Sequence, residues 1–248
     1  MKFSKSEIEI ARGATILRGV DQESLISVFD AAHAKNLDHE GFFFMEEDAA
    51  THAYILLDGK IKLIQFTPSG QQVILGYLIP GRVCGIIAAL KKVTYPVSAQ
   101  AVGTCRVMYW DQYTLNTLME NSPRMALNAL RIMAGQIRQF QNSVKSLSTQ
   151  RVEQRIALAV LRLARQSGRK IESGILIDLP LSRQDLAEMT GTTLYSVSRV
   201  LKNWEKLEIV ESKRQQVIIC LPHKLVSIAE DLPKFDQSQI VPVDLCDL

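Results

Sequence analysis

Five polar side chains at helical spacing are the residues of this chain best suited to recognising another molecule. Tyr195, Ser196, Ser198, Arg199 and Lys202 share one side of a segment whose other side is Leu194, Val197, Val200 and Leu201. Arginine adds a planar fork that can grip two acceptors at once, and tyrosine and serine can donate or accept. That chemistry reads the edge of a base rather than breaking a bond. The preceding Leu186, Ala187 and Met189 make a second apolar face, and Thr190-Gly191-Thr192 separates the two. Gly191 supplies the positive φ that such a turn needs, and Thr192 or Thr193 can cap the second helix. Two helices around a tight turn, with a cationic outer face, predict a helix-turn-helix directed at double-stranded DNA. Arg199 is expected to read a guanine, with Tyr195 and Ser198 near the bases. Thr192, Thr193, Ser196 and Lys202 are assigned to phosphates, and Arg183 joins the candidate contacts.

Other chemistries find less support. Cys84, Cys105, Cys220 and Cys246 are scattered with no Cys-x-x-Cys, which argues against a disulfide framework and against a metal site with local ligands. His33, His39, His52 and His223 form no metal-spaced pair. No paired carboxylate, glycine-rich phosphate loop or nucleophile–base arrangement points to an enzyme. A protein-interaction adaptor built on the same helices is the competing class, and Arg199 discriminates, because DNA readout depends on it.

The elements that must position these residues follow from pattern. Beyond the second helix, Ile209 to Cys220 reads as two apolar runs around a polar turn with Lys213 and Arg214, a hairpin with a basic tip. Upstream, Ala126, Leu130, Met133, Ile137, Phe140, Val144 and Leu147 recur at alternating spacings of 4 and 3. Such a narrow a/d stripe predicts a parallel homodimer seam, with Leu130, Met133, Ile137, Phe140 and Val144 at its centre. The N-terminal half is all-β in texture, after a helical stretch over 22–34. Strands are expected at 41–45, 53–57 and 60–66, the last two flanking Asp58-Gly59 as a hairpin turn. A further strand at 71–78 follows the turn Thr67-Pro-Ser-Gly70, and short strands are expected at 97–102 and 105–110.

The fold class is therefore α+β: an N-terminal β-roll over 1–112, a long dimerisation helix over 113–148, a winged helix-turn-helix over 149–230 and an acidic tail over 231–248. Charge follows the same division. Residues 151–224 carry 13 Lys and Arg against 8 Asp and Glu, a local +5 within a chain of net +3. A basic module beside an acidic tail suits a polyanion partner. The charged N-terminus is not a secretory signal, and no uncharged apolar run reaches the roughly 18 residues of a membrane span, so a cytoplasmic protein is expected.

With β sensor, dimer helix and winged helix in this order, the chain resembles the Crp/Fnr family of bacterial transcription regulators. The resemblance covers about residues 15 to 225. It rests on Leu56-Leu-Asp-Gly-Lys-Ile-Lys-Leu63, Pro80-Gly81 with Gly85, Arg155-Ile-Ala157 with Leu161 and Leu163, and the block from Leu181 to Leu201. Thr67-Pro-Ser-Gly-Gln71 is also similar to the branch that regulates nitrate respiration and responds to nitric oxide. The resemblance implies a homodimer on a palindromic DNA site, with RNA polymerase as a further partner. It also implies a sensor built like a cyclic-nucleotide-binding domain.

Here the chain departs from the family pattern. Cyclic-AMP receptors carry a glutamate after the glycine matching Gly85, and this chain has Ile86. They carry an Arg-Ser pair about ten residues on, where this chain reads Lys91-Lys-Val-Thr-Tyr-Pro-Val97 with no arginine. The Thr-Ser pair that reads adenine falls near Phe140-Gln141. These losses argue against cyclic AMP. The first cysteine is Cys84, so the N-terminal cluster that holds an iron–sulfur cluster in the oxygen-sensing branch is missing, and that cofactor is not expected. What remains is an apolar effector pocket of Ile86, Ile87, Tyr95 and Phe140. Its occupant stays open between a haem sensing nitric oxide or carbon monoxide, with His33, His39 or His52 as axial ligand, and a small hydrophobic effector. Oxidation at Cys84 or Cys105, or a ligand-free roll, are the other readings. In the family a glutamate precedes the recognition arginine by four residues; Tyr195 stands there instead, and looser preference is expected at that base.

Overall fold

The computed structural model describes residues 2–231. The acidic tail expected over 231–248 lies, apart from Asp231, outside the described residues. Helix α1 (Lys5–Gly13) starts with a capping box: the Ser4 hydroxyl accepts from the Glu7 N–H, and the Glu7 carboxylate accepts from the Ser4 N–H. A 3-10 turn (Thr15–Leu17) and α2 (Gln22–Asp30), capped by Asp21, complete the N-terminal segment.

Six strands form the N-terminal β-roll, the expected sensor: β1 (His33–Leu37), β2 (Phe42–Phe44), β3 (His52–Phe66), β4 (Gln72–Leu78), β5 (Val83–Cys84) and β6 (Ser98–Asp111). The order is β1-β6-β3-β4, with β2 also against β6 and β5 against β3. All pairs are antiparallel. The apolar runs bury Ile55, Leu56, Leu57, Ile61, Val107 and Met108. Trp110 is buried beneath α2, and its indole N–H donates to the Val28 carbonyl at 2.9 Å.

Three expectations about this half change. The helical stretch expected over 22–34 ends at Asp30, because His33 and Ala34 are drawn into β1 by pairing with Tyr109 and Met108 of β6. Asp58-Gly59 is not a hairpin turn. β3 runs through it, paired with β6 from His52↔Asp111 to Ile64↔Ser98, with register shifts on both sides of Asp58. Gly59 sits at φ +85°, and a Cβ there would lie 2.4 Å from the Thr104 carbonyl oxygen. The pair is a bulge that bends one continuous strand. An apolar run, Asp-Gly and a second apolar run describe both outcomes locally, and only the partner strand separates them. The strands expected at 97–102 and 105–110 are likewise the single β6, which carries Gly103 at φ +77°. The hairpin at 67–70 does form: the Gly70 N–H donates to the Thr67 carbonyl at 2.8 Å, and β3 pairs with β4.

Helix α3 (Gln112–Asn121) stops before Pro123, which opens α4 (Pro123–Thr149). The first turns of α4 are fastened to the sensor. Met125 and Ala129 are buried, and the Asn128 amide donates to the Ile16 and Arg18 carbonyls at 3.1 and 2.8 Å. Of the proposed seam, Met133 and Ala126 are partly covered, and Met133 packs on the sensor core. Leu130, Ile137, Phe140, Val144 and Leu147 point to solvent in the single chain.

The C-terminal part contains α5 (Val152–Ser167), β7 (Gly168–Ile171), β8 (Gly174–Ile177), α6 (Arg183–Thr190) and α7 (Leu194–Lys206). It ends with β9 (Val210–Lys213), β10 (Gln216–Ile219) and α8 (Pro222–Ala229). The four strands form a sheet in the order β7-β8-β10-β9. The β9–β10 hairpin pairs Lys213 with Gln216, leaving Arg214 and Gln215 as a two-residue tip with Gln215 at φ +58°. The β7–β8 hairpin was not expected; its signal is Gly174, which holds φ +141° where a Cβ would meet the Ile219 carbonyl oxygen at 2.2 Å. Among the described residues, no helix is long and apolar enough to cross a membrane.

Candidate nucleic-acid interface

The recognition helix α7 is built as its pattern implies. Val197, Val200, Leu201 and Trp204 are buried, while Tyr195, Arg199 and Lys202 stand outward. Leu194 is a correction: it is exposed rather than part of the apolar face, because it lies at the first helical position, beyond the reach of the α6 core. Thr193 is the N-cap; its side chain accepts from the Ser196 N–H at 3.1 Å, and its hydroxyl lies 3.0 Å from that of Ser196. Thr192, Ser196 and Ser198 are partly covered beside the same helix start. The first-turn N–H groups of a helix have no partner within it, and they are the donors that a phosphate at this end would meet.

The turn before α7 is held from three sides. Gly191 is the C-cap of α6 at φ +59°, the left-handed conformation expected of it. A Cβ at Gly191 would come within 3.1 Å of Leu147, the last apolar residue of the α4 stripe. The Arg155 guanidinium, reaching from α5, donates to the Thr190, Gly191 and Gln150 carbonyls at 2.9, 3.3 and 3.1 Å. These carbonyls end α6 and α4, so one side chain satisfies groups that no helix can satisfy internally. In the sequence Arg155 stands out only through the family resemblance of Arg155-Ile-Ala157. Trp204 is anchored similarly, its indole N–H donating to Glu153 at 2.8 Å.

Arg183 is placed differently from the rest of the candidate set. Its guanidinium donates to the Ser212 hydroxyl at 3.0 Å and to Glu205 at 3.5 Å, tying the start of α6 to α7 and the wing. At the wing, Lys213 pairs with Glu211 at 2.8 Å, which holds its ammonium above the usual pKa through that hydrogen bond and charge. Arg214 at the tip has no ion pair among the described residues.

The residues expected to line an effector pocket lie elsewhere. Ile86 and Tyr95 are buried in the first core, with Ile87 partly covered against it. Tyr95 stacks on Phe44 with ring centroids 3.9 Å apart. Its hydroxyl donates to the His52 carbonyl and accepts from the Thr51 and His52 N–H groups. Phe140 is exposed on α4. His33 and His52 each lie 5.5 Å from the Tyr109 ring, whereas His39 accepts from the Gly103 N–H. Desolvation lowers the pKa of His52, against an opposing pull from Asp111. Burial pushes the Cys84 thiol up to about 12 and raises Cys105 as well. Both are held protonated, the opposite of what a reactive thiolate needs. A recess of about 970 Å³ opens between the two halves, lined by Lys60, Lys62, Asp178 and Asp185 among others. No group of three His, Cys, Asp or Glu side chains able to hold a metal occurs among the described residues.

Comparison with known proteins follows this division. A cyclic nucleotide-binding domain matches residues 35–122, and a Crp-like helix-turn-helix domain matches residues 154–228. The transcriptional activator protein Anr of Pseudomonas protegens is 26% identical over 188 residues, 76% of this chain and 77% of that protein. The CRP-like cAMP-activated global transcriptional regulator of Mycobacterium tuberculosis is 22% identical over 205 residues, 81% of this chain and 92% of that one. The structure of FixK2 from Bradyrhizobium japonicum superposes with a TM-score of 0.70 at 21% identity, covering 79% of this chain and 96% of that one. Sensor roll, long helix and winged helix-turn-helix, in this order and with these matches, place the chain in the Crp/Fnr family of DNA-binding transcription regulators.

Proposed function

We propose that this regulator works as a homodimer on a two-fold palindrome, with Arg199 reading a guanine in each half-site. The observation that carries this is the pairing of two exposed features. The recognition face of α7 is outward, and α4 from its eighth residue onward leaves Leu130, Ile137, Phe140, Val144 and Leu147 uncovered. An apolar stripe of that length on a helix already fastened at its start calls for a second helix. Two copies joined there would carry two recognition helices, as a palindrome about one helical turn apart requires. Tyr195 offers one hydrogen bond where a carboxylate would offer two acceptors, so the base it faces is read loosely. RNA polymerase is the further partner this reading implies.

For the sensor, we infer that cyclic AMP is not the effector. Ile86 follows Gly85 as a buried apolar group, and Tyr95 and Phe44 fill the space beside it with a closed stack. A ribose hydroxyl would meet no acceptor there, and a phosphate no guanidinium.

Selection of bound sequences from random DNA, followed by affinities across half-site variants, tests the readout. Arg199→Ala should cost about 1–3 kcal/mol per half-site and flatten preference at the guanine. Lys202→Ala should weaken all sequences alike and reduce the salt slope. A uniform loss with Arg199→Ala would make Arg199 a phosphate clamp and overturn the assignment.

A further inference from the structure

Strand β4, with Lys62 and Ile64 of β3 beside it, packs against α6, the first helix of the helix-turn-helix. Lys62 Nζ donates to Asp185 Oδ1 at 2.7 Å, and the two side chains are only 17% and 12% exposed. Gln72 donates to Glu188 at 2.8 Å, and Lys60 pairs with Asp178 at 3.1 Å on the rim. Behind these contacts Ile64, Ile74 and Tyr77 are buried in one cluster with Leu186, Ala187 and Leu201 of the DNA-reading half. Asp185 is shared. Its other carboxylate oxygen accepts from the Ser182 N–H at 2.9 Å, closing the capping box of α6. The sensor's lysine and the helix's own cap thus meet on one carboxylate. The Tyr77 hydroxyl is buried beside them, and its burial together with the Asp185 and Glu188 carboxylates keeps it protonated.

Among the described residues, the covalent link between the halves is the short extended step at Gln150 and Arg151, between the end of α4 and the start of α5. A link of that kind fixes position but leaves orientation to non-covalent contacts. A buried, directional ion pair is the contact best able to set it, because neither partner can turn away without losing its counter-charge in a poorly solvated place. We propose that Lys62 is a positioning residue for DNA reading: by holding α6 to the β3–β4 hairpin it fixes the setting of α7, and so the half-site spacing that the dimer accepts. This rests on the dimeric, palindrome-reading function proposed above. Arg199 and its hydrogen bonds to a base are untouched by it.

The test measures affinities for palindromes with the preferred central spacer and with one base pair added or removed. Each added base pair turns one half-site by about 35° relative to the other. Wild type, Lys62→Met, Lys62→Arg and Gln72→Ala are compared, with thermal melts alongside. Wild type should discriminate strongly by spacing. Lys62→Met should lose about tenfold of that discrimination, the middle of the range for residues coupled in one network, while keeping its preference for the guanine. Lys62→Arg should restore spacing discrimination. Gln72→Ala should shift it in the same direction by a smaller factor, and it decides the matter if Lys62→Met melts early. Unchanged discrimination in both Lys62→Met and Gln72→Ala overturns the inference alone. A wild type indifferent to spacing overturns both the inference and the dimeric reading beneath it.

Discussion

Charging the α4 stripe is the sharpest test of the dimer. In the single chain Leu130 is 59% exposed, Ile137 59%, Phe140 48%, Val144 64% and Leu147 56%. Full burial of such side chains is worth about 1.5–3 kcal/mol each, so the half that remains exposed is worth about 1 kcal/mol per residue. Ten such groups in a symmetric pair supply roughly 10 kcal/mol before the cost of association is subtracted. The double variant Ile137→Glu with Phe140→Glu removes four of the ten and replaces them with carboxylates facing one another across the seam. The lost burial is about 4 kcal/mol, and each desolvated unpaired charge adds several more. The total exceeds the roughly 8 kcal/mol of a micromolar dimer. Sedimentation equilibrium should therefore find a monomer at micromolar protein, with weak operator binding. Because both side chains are exposed in the protomer, the far-ultraviolet circular dichroism of each half should be kept. A double variant that sediments as a dimer would refute the seam.

Arg155→Ala leaves three carbonyls without their charged donor, and at about 1.5–3 kcal/mol for a hydrogen bond to a charged group the C-terminal half should melt well below wild type in calorimetry. Burial of Asp185 would raise its pKa, but Lys62 and the Ser182 donors outweigh that and hold the carboxyl below its usual range. A carboxylate so depressed contributes stability that is fully present above its unfolded value of about 3.9 and is lost as pH falls through the folded one. Urea unfolding between pH 5 and 2 should show that acid limb in wild type, and Asp185→Asn should flatten it. Isothermal titration with micromolar cyclic AMP should register no binding; a saturable isotherm would mean that the segment from Gly85 to Val97 does not correspond to the family's nucleotide-binding loop.

What the sequence makes legible here is what is periodic or local. The α7 face, the cap at Thr193, Gly191 at the turn and the wing are each encoded within a few residues, and all form. The α4 stripe is legible as a stripe, yet its N-terminal part turns inward at Met133, because the sensor occupies that side first. Local pattern fails at Asp58-Gly59, where the same residues serve a hairpin or a bulge and the choice belongs to β6, more than forty residues away. It is silent on Lys62 and Asp185, which stand 123 positions apart. Each has an ordinary local explanation, a strand lysine at a polar position and an N3 acid of a capping box. Their partnership exists only in three dimensions. Arg183 is a similar case: its contacts with Glu205 and Ser212, 22 and 29 positions away, are invisible in the local pattern that names it only as a cation at the mouth of the DNA-reading unit.

The second hydrophobic cluster bears on how this chain can be divided. Ile64, Ile74 and Tyr77 come from the β-roll but are buried with the winged helix. A cut at Gln150, the obvious seam between modules, therefore runs through a core rather than around one. Released from its sensor, the DNA-reading half would present the apolar flank of α6 to water, and the roll would present its β3–β4 hairpin. Transplanting this reading head onto a foreign sensor thus calls for grafting the hairpin with it, or for rewriting that flank in polar residues. A chimera with a relative would face the same constraint: the winged helix and residues from 60–78 bury one cluster together, and exchanging either alone sets mismatched apolar faces against each other.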